Sequence, residues 1–108
     1  MVTVISLGGS IIVPDSVDVA FLGRFNEAVR TYLAQDEKRK LILVCGGGAP
    51  ARVYQQAMKS LDEDTPSEAL DWLGIKATHL NAQLVKTLFA DLAPNEVVTD
   101  PTAPFTFE

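Results

Sequence analysis

The apolar positions of this chain fall into two kinds of run, short continuous ones and longer ones at helical spacing. Val2–Leu7, VTVISL, is short and enters Gly8-Gly9-Ser10 directly. Such a run predicts a buried strand passing into a turn. Ile11–Val13 predicts a further short strand or hairpin arm, before Pro14-Asp15-Ser16 breaks the chain. From Asp18 to Ala34 the period changes: Phe21, Leu22, Phe25, Ala28, Val29, Tyr32 and Leu33 mark one face of an amphipathic helix, with Glu27 and Arg30 outward. A polar connection, Gln35–Lys40, leads to a second continuous run, Leu41–Cys45, which predicts a central parallel strand ending at Gly46-Gly47-Gly48. Ala49–Leu61 predicts a helix with Pro50 in its first turn, where a missing N–H costs nothing.

After the acidic break Asp62–Pro66, a long helix is expected with Ser67 as N-cap and Leu73, Ala77, Leu80, Leu84 and Leu88 along one face. Gly74 interrupts that face, at up to ~1 kcal/mol relative to alanine, and predicts a close approach or a kink. Glu96–Thr99 predicts a third strand. The last residues include Phe105 and Phe107 with no later element to cover them, so the chain reads as part of a longer protein; a short terminal strand or docking tail is the alternative. The alternation of strands and helices predicts an α/β domain with a mostly parallel sheet.

Composition narrows the function classes. The 108 residues suit one small domain, and 47% hydrophobic with 21% charged residues indicates a globular chain. A net charge of −5 disfavours a nucleic-acid backbone as partner, although a few focused N–H groups and arginines still suit a small anion. The lone Cys45 excludes an intrachain disulfide and fits a reducing compartment. No run approaches the ~20 apolar residues of a membrane span, so a cytoplasmic protein is expected.

The candidate chemistry lies at the two glycine turns. In open α/β sheets, ligands bind beyond the carboxyl ends of the strands. Successive N–H groups of a glycine-rich turn form a concavity for phosphate oxygens, and the helix starting at Ala49 adds its N-terminal dipole. Neither turn is a Walker A loop or a G-x-G-x-x-G fingerprint. A glycine pair after a strand also serves as a plain tight turn. Three consecutive glycines carry an entropy cost that a plain turn does not require, which favours a ligand role. Arg52, in the first turn of the following helix, suits a bidentate phosphate contact, with a solvated surface arginine as the alternative.

The blocks VISLGGSIIVPDS, LILVCGGGAPARVY and DWLGIKATHLNAQLV, in this order, resemble the N-terminal half of archaeal-type uridylate (UMP) kinases of the amino-acid-kinase family. The resemblance covers essentially the whole chain. It implies a three-layer αβα, carbamate-kinase-like fold whose C-terminal, ATP-binding half lies outside residues 1–108. It implies transfer of the ATP γ-phosphoryl group to UMP with Mg²⁺. It implies that Gly9, Ser10, Gly48 and Arg52 contact ATP phosphates, that Gly47 contacts UMP through its backbone, and that Asp71 accepts hydrogen bonds from the ribose hydroxyls. An ionised carboxylate is acceptor-only, which suits paired hydroxyls; a first-turn carboxylate favouring the helix dipole is the alternative for Asp71. Homo-oligomers, commonly hexamers built from dimers, are expected.

Many members of the family place a lysine two residues before the first glycine pair; here that position is Ser6. The charge stabiliser is then Arg52, Mg²⁺ or a residue beyond this chain. Kinases of the same family acting on carbamate, acetylglutamate, aspartate or isopentenyl phosphate remain alternatives. So do a non-catalytic nucleotide-binding or storage protein and a plain α/β interaction domain. His79 and Asn81 read as interhelix or subunit-interface polar groups, Cys45 as a small core residue, and Trp72 as a packing residue.

Overall fold

The computed structural model describes residues 2–92. Along the chain come β1 (Val2–Leu7), a single helical turn α1 (Gly9–Ile12), α2 (Val19–Ala34), β2 (Lys40–Cys45), α3 (Gly48–Leu61) and α4 (Ser67–Leu88). The strand expected at Glu96–Thr99 and the pair Phe105 and Phe107 lie outside the described residues.

The two strands are parallel and in register from Val2 opposite Lys40 to Leu7 opposite Cys45. A parallel pair requires a crossover, and α1 with α2 supplies it. Side chains alternate between the faces of a strand. Leu7, Leu41, Leu43 and Cys45 accordingly join the core with Ile12, Val13, Leu22, Val29, Ala49, Val85 and Phe89. On the other face Val2, Val4 and Val44 are 50%, 62% and 51% exposed. The described residues therefore form an α/β unit whose two-stranded sheet is covered on one face. The three-layer arrangement expected from the sequence is not formed by these residues, because no described element packs over Val2, Val4 and Val44.

Ile11–Val13 does not extend as a strand. The N–H groups of Ile11 and Ile12 donate to the Gly8 carbonyl at 3.0 and 3.2 Å, and that of Val13 donates to Gly9 at 2.8 Å. This turn swings Ile12 into the core, where it is fully buried. The N–H groups of Ile11 and Ile12 are thus satisfied locally, within the turn.

Asp18 caps α2, its carboxylate accepting the Phe21 N–H at 2.9 Å. Phe21 and Phe25 stack along the helix, and Phe25 meets Phe89 edge-on with centroids 6.1 Å apart. Arg30 reinforces this junction from the helix flank. Its guanidinium donates to both Asp91 carboxylate oxygens at 2.8 and 2.9 Å and to the Leu88 carbonyl at 3.3 Å. These hydrogen bonds hold the Asp91 carboxyl below the usual carboxylate range.

The face of α4 turned to the core differs from the expected leucine row. Ala77, Asn81 and Val85 are buried, whereas Leu80 and Leu84 are 63% and 37% exposed together with Trp72 at 53%. Of the expected row, Ala77 is buried and Leu88 packs against the core, while Leu80 and Leu84 belong to a second apolar stripe on the outer side of the same helix. Pro66, not Ser67, is the N-cap, and it makes no side-chain cap bond. No helix among the described residues is long and apolar enough to cross a membrane.

Candidate functional site

The carboxyl ends of β1 and β2 lie side by side, so the turns that follow them are brought together by the strand register itself. Gly46 N–H donates to the Leu7 carbonyl at 3.0 Å and carries the pairing one step into the glycine triplet. Beyond that point the two turns touch backbone to backbone. A Cβ on Gly9 would lie 2.6 Å from the Gly47 nitrogen and 2.7 Å from the Gly46 carbonyl carbon, and closer still to the Gly48 nitrogen. Separations between carbon atoms in ordinary contact are about 3.5–4.0 Å, so no side chain fits. Gly48 is restricted a second way, by a left-handed φ of 60°.

The result is a continuous backbone ledge at adjacent strand ends, from which α3 departs. The first N–H groups of a helix have no intrahelical partner. Here Ala49 N–H donates to the Val13 carbonyl at 3.0 Å, which ties α3 to the residue after α1. Pro50 occupies the first turn of α3, where it forfeits no hydrogen bond.

Arg52 reaches back from α3 to the first turn. Its Nη1 donates to Ser10 Oγ at 3.3 Å and its Nη2 to the Pro14 carbonyl at 3.2 Å. The side chain is exposed, and its guanidinium lies beside the ledge. Gly9, Ser10, Gly47, Gly48 and Arg52 are thus gathered in one place. Asp71 stands apart from this cluster, near the start of α4 and one turn before Gly74. It is exposed and makes no hydrogen bond or ion pair among the described residues. The two regions are connected through Gly47, because a Cβ there would lie 3.4 Å from the Gly74 carbonyl oxygen.

Gly74 admits a close approach, though by a side chain instead of a backbone. A Cβ on Gly74 would lie 2.8 Å from Gln55 Nε2, which donates to the Leu70 carbonyl at 3.0 Å. Ser6 is exposed and, by the pleat, shares the open sheet face with Val44, so it does not point to the ledge core. Cys45 is half-buried beneath the ledge, and burial pushes its thiol pKa up, away from the reactive thiolate. Trp72 is exposed on the outer stripe of α4, contrary to its reading as a packing residue.

Asn81 is a polar group between elements, as expected, but its partner is the glycine triplet itself. It is 3% exposed, and its Nδ2 donates to the Gly46 and Gly47 carbonyls at 2.8 and 3.0 Å. A signal was available: an asparagine four residues from both Ala77 and Val85 falls on the buried stripe, where a polar group requires partners.

A family model described as "Amino acid kinase family" matches residues 1–105. The chain belongs to the amino acid kinase family. Among curated relatives of this amino acid kinase domain, the uridylate kinase of Thermococcus sibiricus is 38% identical over 99 residues, covering 90% of this chain and 41% of the relative. The uridylate kinase of Thermoplasma acidophilum is 36% identical over 105 residues, 97% of this chain and 40% of the relative. That of Methanothrix thermoacetophila is 39% identical over 97 residues, 90% and 40%. The chain therefore spans about two-fifths of the length of these relatives.

Proposed function

We propose that this chain is the N-terminal, phosphate-gathering part of a uridylate kinase, which transfers the γ-phosphoryl group of ATP to UMP and yields UDP. The observation that carries the proposal is the backbone contact between the two glycine turns at neighbouring strand ends, with Arg52 bonded across to Ser10. The names of the relatives supply the acceptor.

In this reading Gly9, Ser10, Gly48 and Arg52 hold ATP phosphates, and Gly47 and Asp71 hold UMP. Phosphoryl transfer involves little covalent chemistry by the protein; rate comes from alignment and from charge stabilisation. The ledge suits alignment, since backbone N–H groups fixed by close packing need no reorganisation when charge develops. Arg52 suits charge stabilisation: its present partners are a hydroxyl and a carbonyl, both neutral, so a phosphate oxygen is a stronger acceptor for the same donors. Among the described residues the Asp71 side chain has no competing partner, and it is available to two hydroxyls.

Mg²⁺ is proposed as the ion accompanying ATP. Among the described residues no group of three His, Cys, Asp or Glu side chains gathers on a metal position. Nucleotide-bound Mg²⁺ is commonly held by phosphates, water and one or two carboxylates, so the ion would enter with its nucleotide. The third layer of the αβα fold is proposed to pack over Val2, Val4 and Val44, and homo-oligomerisation to use the outer stripe of α4. Ser6 favours a second reading, a nucleotide-binding protein without turnover, because the family's common lysine position holds a neutral side chain.

Calorimetric titration of the chain with UMP and with Mg·ATP tests the assignment, using Asp71→Asn and Arg52→Ala. The expected outcome is that Asp71→Asn weakens UMP alone and Arg52→Ala weakens ATP alone. UMP affinity indifferent to Asp71→Asn would remove the acceptor assignment. UDP formation is expected only from a protein that also contains the remaining three-fifths or so of the relatives' length, and UDP from these 108 residues would refute that division of labour.

A further inference from the structure

Of α4 only Asp71 belongs to the candidate site, yet α4 is the bed on which the glycine triplet lies. Gly74, Thr78 and Asn81 are spaced by four and three residues and share one helix face. A Cβ on Gly47 would lie 3.4 Å from the Gly74 carbonyl oxygen and 3.4 Å from Thr78 Oγ1. The Thr78 hydroxyl is spent within the helix, donating to Gly74 at 3.0 Å. Asn81 alone in this row bonds the triplet. A carboxamide nitrogen has two N–H groups, and here they serve two successive carbonyls, Gly46 at 2.8 Å and Gly47 at 3.0 Å.

We infer that Asn81 is a positioning residue. Its two hydrogen bonds fix the Gly46–Gly47 and Gly47–Gly48 peptide planes and so aim the N–H groups of Gly47 and Gly48. Neither peptide is cis, and in a trans peptide the C=O and N–H point in opposite directions. Drawing both carbonyls towards α4 turns both N–H groups away from it, to the side where Gly9 approaches the Gly47 and Gly48 nitrogens. Glycine resists such rotation least, because it has no Cβ. A residue with two donors on one atom, buried on a rigid helix, removes that freedom. The functional consequence rests on the phosphate-binding reading above; the geometric one does not.

The test is ¹H–¹⁵N NMR of the full chain and of two variants. Asn81→Asp keeps the shape and loses both donors; Asn81→Ser keeps one short donor and serves if the first variant does not fold. In the parent chain, Gly47 and Gly48 are expected to give single sharp amide signals that move saturably with Mg·ATP or with inorganic phosphate. In the variants these two signals are expected to broaden or split while those of Leu22 and Val29 in α2 stay in place. The affinity for Mg·ATP is expected to fall roughly tenfold for the loss of both bonds. A merely structural role would lower the melting temperature and leave the Gly47 and Gly48 signals and the affinity of the folded protein unchanged; that result overturns the inference. If the parent chain binds neither ligand, these residues do not hold phosphate without the rest of the protein, and the multiplicity of the two signals still decides what Asn81 does.

Discussion

Replacing Gly9 by alanine perturbs the contact on which the candidate site is built. The added methyl group would meet backbone only: the Gly47 nitrogen at 2.6 Å, the Gly46 carbonyl carbon at 2.7 Å, and the Gly48 nitrogen closer still. No flexible side chain is there to yield. Relief therefore requires the turn after β1 to separate from the turn after β2, and both are held, one by Gly46 N–H to Leu7 and the other by Ala49 N–H to Val13. Overpacking of a well-filled site costs about 1–3 kcal/mol, and contact with backbone on every side argues for the upper end. For a domain of this size, about 3 kcal/mol corresponds to a fall of roughly 12–24 °C in Tm. The matched control is Gly23→Ala within α2, where a Cβ would meet nothing within 4 Å. That change is expected to stabilise by about 0.5–1 kcal/mol, through helix propensity and a less flexible unfolded chain. Thermal and urea unfolding of the three proteins would measure both effects. A Gly9→Ala protein within about 0.5 kcal/mol of the parent, the usual range of an uneventful surface change, would refute the backbone-contact argument.

Two further outcomes are expected. The Arg30–Asp91 pair lowers the folded-state pKa of Asp91. Its contribution is therefore present above the unfolded carboxyl value near ~3.9 and is lost as pH falls through the lowered folded value. Asp91→Asn is expected to reduce Tm at pH 7 and to make little difference near pH 2; an equal deficit at both pH values would show that the pair contributes no charge-dependent stability. Val4→Thr, on the open sheet face, is expected to raise soluble yield with little change in Tm, since Val4 is 62% exposed. A large fall in Tm, measured by circular dichroism, would mean that this face is covered in the isolated chain.

The sequence by itself determined β1, α2, β2, α3 and α4 and their order. Strand, turn and helix were readable because each rests on local signals: short apolar runs ended by glycine, helical spacing in α2, and Pro50 in the first turn of α3. It also singled out the Gly46-Gly47-Gly48 turn, because three consecutive flexible residues after an apolar strand are costly without a purpose. The tertiary structure decided matters that depend on distant partners. Ile11 and Ile12 are compatible with strand or helix, and the helical turn, bonded to Gly8 and burying Ile12 in the core, is the arrangement the described residues adopt. α4 carries apolar residues on two faces, so periodicity alone left its rotation open; contact with the glycine triplet chose the face bearing Asn81 and turned Leu80 and Leu84 outward. Even the need for glycine at position 9 is non-local, because the atoms that exclude a side chain there belong to residues 46–48, brought alongside by the parallel register of β1 and β2.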